Sequence, residues 1–210
     1  IAACSINSCL YVADYWLGSG CCVWKVKTDH KVDKWLEHVG NVWSLSVTSE
    51  GHVVMSVRSV PCRVDIYDTA GVKLSSVQLP RDIELPRCVV QTVNKSFIVS
   101  HGGSDIDTEL HRVCEVNNEG VLVKSYGGSR GSELGQLDRP MYIALDSEER
   151  VFVADCDNAR VLLLDKQLNI QRVLLTWSRD RRPRRLFYDR ETTQLIVGLS
   201  CGQVAIFSLL

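Results

Sequence analysis

Apolar and polar positions along this chain alternate in short runs. Val64-Asp65-Ile66-Tyr67 alternates as a half-buried strand does, and Met141-Tyr142-Ile143-Ala144-Leu145 is a brief apolar run suited to a strand covered on both faces. Polar turn formers separate such runs: Asp146 to Arg150, then Asp155-Cys156-Asp157-Asn158, then Asp165 to Asn169. The pattern predicts strands at Met141–Leu145, Val151–Ala154, Val161–Leu164 and Ile170–Leu175. Nothing in the chain keeps a helical period.

The four-strand plan recurs. Leu10-Tyr11-Val12-Ala13-Asp14 returns as Val151-Phe152-Val153-Ala154-Asp155, with weaker copies around Val53, Phe97 and Leu195. Taking Tyr11, Val53, Phe97, Phe152 and Leu195 as equivalent gives steps of 42, 44, 55 and 43 residues. An insertion from His101 to Glu109 accounts for much of the long step. A β-rich unit repeating at about 40–50 residues is the mark of a propeller blade. The expected fold is all-β: one β-propeller domain over residues 1–210, with units near 1–37, 38–80, 81–133, 134–176 and 177–210. The fifth unit stops before its outer strand. With no initiating Met and a start in mid-strand, the chain reads as a fragment.

The fourth unit adds a signature. Gly127 to Pro140 is a Gly-rich lead-in ending in Pro. Ile143-Ala144, Val151 to Asp155 and Asn158-Ala159-Arg160-Val161 follow it. This stretch resembles an NHL repeat, and the chain is similar to the propellers that end tripartite-motif (TRIM-NHL) ubiquitin ligases. It departs from the pattern at Tyr142, where the family has Gly, and at Ala159, where it has His. The first unit keeps Val12-Ala13-Asp14 without the Asn-x-Arg; the others keep only the apolar pattern. The Trp-Asp dipeptide of WD40 blades is absent. The resemblance implies a ring of six blades with about one missing, or a shortened five-bladed relative. It also implies a partner-binding module, which in such relatives is the substrate-recognition part of a larger ubiquitin ligase.

Composition narrows the chemistry. Lys plus Arg number 24 and Asp plus Glu 25, so no global charge announces a polyanionic partner. Nine Cys, an odd number at irregular spacing with no Cys-x-x-Cys, argue against a disulfide framework and for a reducing, cytoplasmic setting. No apolar run approaches the roughly 20 residues of a membrane span. His30, His38, His52, His101 and His111 form no metal-binding spacing, and no Gly-x-Ser-x-Gly elbow occurs. The expectation is therefore no catalytic residues, no metal and no cofactor: a non-catalytic recognition propeller. The alternative is a propeller enzyme of the metal-dependent lactonase or amidating-lyase kind, for which acids and His would converge on the axis.

The sharpest candidate is basic. Arg179, Arg181, Arg182, Arg184 and Arg185 crowd around Pro183 in the crossover from the fourth unit to the fifth. Propeller crossovers share a face with the turns between second and third strands, so Arg81, Arg87, Arg130 and Arg139 belong to the same face. Many guanidinium groups there suit phosphates or carboxylates, with Trp177, Phe187 and Tyr188 as nearby aromatics. The bland reading pairs these Arg with Asp105, Asp107, Asp138, Asp157 and Asp180. The expected partner is a protein or single-stranded RNA, neither DNA nor a membrane. Asp155, Asn158 and Arg160 read as pinning a turn, and the glycines from Gly127 as a flexible crossover, since no P-loop ending follows them.

Overall fold

The computed structural model describes residues 1–16, 20–102 and 110–209. Its strands form five antiparallel sheets in chain order, each built from consecutive strands. The first holds β1 (Ala2–Cys4), β2 (Cys9–Trp16), β3 (Gly20–Lys27) and β4 (Val32–Leu36); the second β5 (Asn41–Val47), β6 (Val53–Arg58), β7 (Arg63–Tyr67) and β8 (Lys73–Gln78). The third holds β9 (Pro86–Gln91), β10 (Phe97–His101), β11 (Leu110–Val116) and β12 (Leu122–Ser129); the fourth β13 (Pro140–Leu145), β14 (Val151–Asp155), β15 (Arg160–Leu164) and β16 (Ile170–Thr176). The fifth has three strands, β17 (Pro183–Asp189), β18 (Gln194–Leu199) and β19 (Val204–Ser208). This is the expected five-bladed propeller with a short last blade. The insertion expected at His101 to Glu109 lies, from residue 103 onward, outside the described residues.

Each pair of neighbouring sheets is sealed by an apolar core. Tyr11 and Val23 meet Leu45 and Met55; Val64 and Ile66 meet Val89 and Phe97. Cys88 and Val113 meet Ile143 and Val153; Phe152 and Val161 meet Leu195 and Val197. Alternate residues of a middle strand therefore serve two different cores, as β-strand alternation requires. All five residues that mark the repeat lie in second strands and are buried. They are not on one face, however. Tyr11 and Phe152 face the following blade, whereas Val53, Phe97 and Leu195 face the preceding one. The true counterparts of Phe152 are Val54 and Ile98, one residue on. A one-residue slip in frame exchanges the two faces of a strand.

The Gly-rich stretch also needs correcting. Gly127 and Gly128 are not crossover but the end of β12, paired with Arg112 and His111. Gly127 has φ of 98°, and a Cβ there would stand 2.4 Å from the His111 carbonyl oxygen. Close strand approach, not flexibility, selects this glycine.

Among the described residues no core joins the fifth sheet to the first. The fifth sheet leaves Phe187, Val204 and Ile206 more than half exposed, and the first leaves Leu10 and Val32 exposed. Replacing Val204 and Ile206 with Lys should therefore shift the melting temperature by less than about 2 °C, as surface changes do. It should also reduce binding of a hydrophobic dye and light scattering on storage. A large loss of melting temperature would show that this face is covered.

Candidate ligand-binding face

One irregularity repeats around the axis. Where the innermost strand of a blade starts, a β-bulge sets one residue out of register. The bulged residues are Trp43, between Val42 and Ser44; Arg87, between Pro86 and Cys88; Met141, between Pro140 and Tyr142; and Arg184, between Pro183 and Arg185. A bulge re-aims its side chain and commonly marks a working surface. Here the bulges at Trp43, Arg87, Met141 and Arg184 all fall at the crossover end of an innermost strand.

Trp43 is the most populated of these positions. The Arg58 guanidinium lies 3.6 Å from its ring centroid and that of Arg87 lies 5.0 Å away, within cation–π range. Arg87 is 7 % exposed and its Nε donates to the Gly102 carbonyl at 3.4 Å.

The predicted basic cluster is divided. Asp157 takes both Arg139, at 2.9 Å, and Arg182, at 2.8 Å. Asp138 takes Arg130 at 2.9 Å. So Arg130, Arg139 and Arg182 sit on the crossover face but partly neutralised, as the bland reading expects. Asp105 and Asp107, also offered as partners, lie outside the described residues. Arg179, Arg181 and Arg184 are exposed. Arg185 leaves the group: strand alternation turns it toward the axis, 5.3 Å from the Tyr142 ring centroid. Of the nearby aromatics only Phe187 is exposed, and it lines the same axial cavity as Arg185. Trp177 packs edge-on against Phe207, Tyr188 stacks on Phe152, and Phe187 lies on the open face of the fifth sheet.

Asp155, Asn158 and Arg160 hold the face together. Asp155 is fully buried and accepts from the Asp138 N–H at 2.7 Å, Asn158 Nδ2 at 2.8 Å and Arg160 Nε at 2.6 Å. Arg160 reaches on to the carbonyls of Ser132, at 2.7 Å, and Gln136, at 2.9 Å. The trio clamps the crossover of residues 130–139 to the fourth blade.

The third blade carries a variant of this clamp that the sequence hid behind its insertion. Arg112 pairs with His101 across the strands as Arg160 does with Asp155. Arg112 Nε donates to His101 Nε2 at 3.2 Å, which places the ring hydrogen on Nδ1. Arg112 also ion-pairs with Asp82 at 2.6 Å. Burial, with the Arg112 charge behind it, holds the His101 imidazole down to about 3. His111, lowered by burial, accepts from the Arg139 N–H at 2.9 Å.

The axis itself is a cavity of about 680 Å³, lined by the innermost strands together with Ile196, Gly198 and Val204. Arg185 and Arg190 reach it; among the described residues that line it none is Asp, Glu or His. All nine Cys are free, and burial pushes the Cys88 and Cys114 thiols up to about 12. Among the described residues no helix is long and apolar enough to cross a membrane.

The architecture defines the chain as a β-propeller. No family model and no curated protein matches it, so the NHL resemblance stands as a resemblance. Solved structures do match. A protein of unknown function from Bacteroides caccae has a TM-score of 0.68 at 14% identity, over 94% of this chain and 68% of that one. A catalytically inactive virginiamycin B lyase from Staphylococcus aureus, solved with quinupristin, has a TM-score of 0.59 at 12% identity, over 98% of this chain and 72% of that one. A streptogramin B lyase gives 0.59 at 12% identity, over 97% and 69%. At these identities the likeness shows the fold alone. It does overturn one expectation. The absence of catalytic motifs leads to the expectation of no enzyme, yet this scaffold carries lyases, so the fold and the missing motifs give no ground for excluding catalysis.

Proposed function

We propose that the crossover face is a recognition surface for an anionic macromolecule, an acidic protein segment or single-stranded RNA. The repeated bulge is the observation that carries this reading: it recurs at the crossover end of the innermost strand in four successive blades, at Trp43, Arg87, Met141 and Arg184. Arg179 and Arg181 add exposed charge in the crossover before Arg184. Arginine offers bidentate contacts to carboxylate and phosphate alike. The likeness to TRIM-NHL propellers supports the same role, with the propeller as the substrate-recognition part of a larger ubiquitin ligase.

A salt titration tests it. With a labelled single-stranded RNA of mixed sequence, binding should weaken steeply as salt rises, because each neutralised phosphate releases counterions. Arg181→Glu with Arg184→Glu should weaken binding by about tenfold and flatten the salt dependence, with an unchanged melting temperature. The same pair should weaken capture of an acidic protein if that is the partner. Arg185→Glu, which faces the axis, should do much less. Equal binding by wild type and the Arg181/Arg184 variant would remove these residues from the surface.

A further inference from the structure

The axial cavity holds polar groups that the fold leaves unused. Its volume of about 680 Å³ is that of a small-molecule site. Much of its wall is aliphatic, from Ala3 of β1, Val47 of β5, Val90 of β9 and Ala144 of β13. Counted from the bulge of each innermost strand, Tyr142 and Arg185 are both the first residue inward, so neighbouring blades bring them to one level. The Arg185 guanidinium lies 5.3 Å from the Tyr142 ring centroid. Ser46 of β5 lies two residues deeper on the same count.

These groups are available to a ligand. Arg185 Nη1 donates to the Arg184 carbonyl at 2.9 Å, which uses one of its several N–H donors, and Arg185 makes no ion pair among the described residues. The Tyr142 hydroxyl has no hydrogen-bond partner among the described residues, and the Ser46 hydroxyl is shielded from solvent without one. The neighbouring Cys88 and burial hold the Tyr142 phenol above its ordinary range, so it keeps its proton and stays a donor. Arg190, at the far end of β17, sits between Asp189 and Glu191, which offset its charge. Uncompensated charge therefore gathers at Arg185, between apolar walls that focus its field.

We propose that the axial cavity binds a small amphipathic acid. Arg185 and the Tyr142 hydroxyl hold its carboxylate, since one guanidinium can bond both carboxylate oxygens in parallel. Its apolar body lies along the aliphatic wall of β1, β5 and β9. Ser46, deeper on that wall, can bond a hydroxyl or carbonyl carried partway along the body. This site is separate from the crossover face and does not depend on that face being a recognition surface.

Fluorescence titration of the full chain with dansylaminoundecanoic acid, and with its methyl ester as the uncharged twin, tests it. Wild type should bind the acid saturably and more tightly than the ester. Arg185→Gln, at an exposed side chain, should weaken the acid by about tenfold or more and leave the ester within about twofold, at an unchanged melting temperature. Tyr142→Phe, which keeps the ring and removes the hydroxyl, should weaken the acid alone by about threefold. Ala3→Trp, at an exposed position on the cavity wall, should weaken both ligands by filling the space they use. Lack of saturable binding, or equal affinity of wild type for acid and ester, would overturn the proposal. So would equal losses of acid and ester in Arg185→Gln. Unchanged binding of both by Ala3→Trp would move the probe out of the cavity, onto the open face of the fifth sheet, and would equally overturn it.

Discussion

Val153→Asp is expected to abolish cooperative unfolding or lower the melting temperature by at least about 6 °C. Val153 is fully buried in β14, the second strand of the fourth blade, and faces the core shared with the third blade. It lies opposite Ile143 on one side and Leu162 on the other. A carboxylate there meets only apolar neighbours, and burying it unpaired costs roughly 3 kcal/mol or more. In a domain of this size each kcal/mol shifts melting by about 2–4 °C. Val153→Ala should cost less, since it leaves a cavity but buries no charge. Calorimetric melting of the two variants checks the ranking. An Asp variant as stable as wild type would mean the strand is misassigned.

The second large effect is a loss of stability in mild acid that His101 causes. In the unfolded chain this imidazole gains a proton below its ordinary value of about 6.5. In the folded protein burial and the neighbouring Arg112 charge keep it neutral down to about 3. Between those values the unfolded state binds more protons, so stability is complete above about pH 6.5 and falls as pH drops through the window. The slope approaches about 1.4 kcal/mol per pH unit, so roughly 2 kcal/mol is lost between pH 6.5 and pH 5. His111 adds to the loss in the same direction. His101→Gln retains an acceptor for Arg112 but does not titrate. Its unfolding free energy should fall less than that of wild type over the same range. Parallel curves for the two proteins would place the acid sensitivity elsewhere.

Much of the architecture was legible because strand periodicity and turn chemistry are local. The apolar runs at Val161–Leu164 and Val204–Phe207, and the Asp and Asn turns between runs, mark their elements without reference to the rest of the chain. The frame between blades was not. Deciding whether Val53 or Val54 matches Phe152 needs the sheet face each occupies, and in Val53-Val54-Met55 the sequence is apolar on both. The bulges were hidden for a related reason. They are set by pairing with the second strand, so no single residue type marks all of Trp43, Arg87, Met141 and Arg184, although a Pro precedes the last three. The Arg run was visible as charge, but its division was not. Asp157 captures Arg139 and Arg182 from two different crossovers, and strand alternation sends Arg185 to the axis beside Tyr142. The pairing of Arg112 with His101 was masked by the residues between them, which obscure the spacing seen in Asp155 and Arg160.

The central claim is that partners meet the crossover face, where the innermost strands carry their bulges at Trp43, Arg87, Met141 and Arg184. Hydrogen exchange of the full chain, free and saturated with an acidic peptide or with single-stranded RNA, tests it most directly. The account predicts slowed exchange in residues 58–62, 79–87 and 177–185. It predicts no change in the turns of the opposite face, 48–52, 92–96 and 146–150. Protection confined to those opposite turns, with the crossovers exchanging as in the free protein, would contradict it.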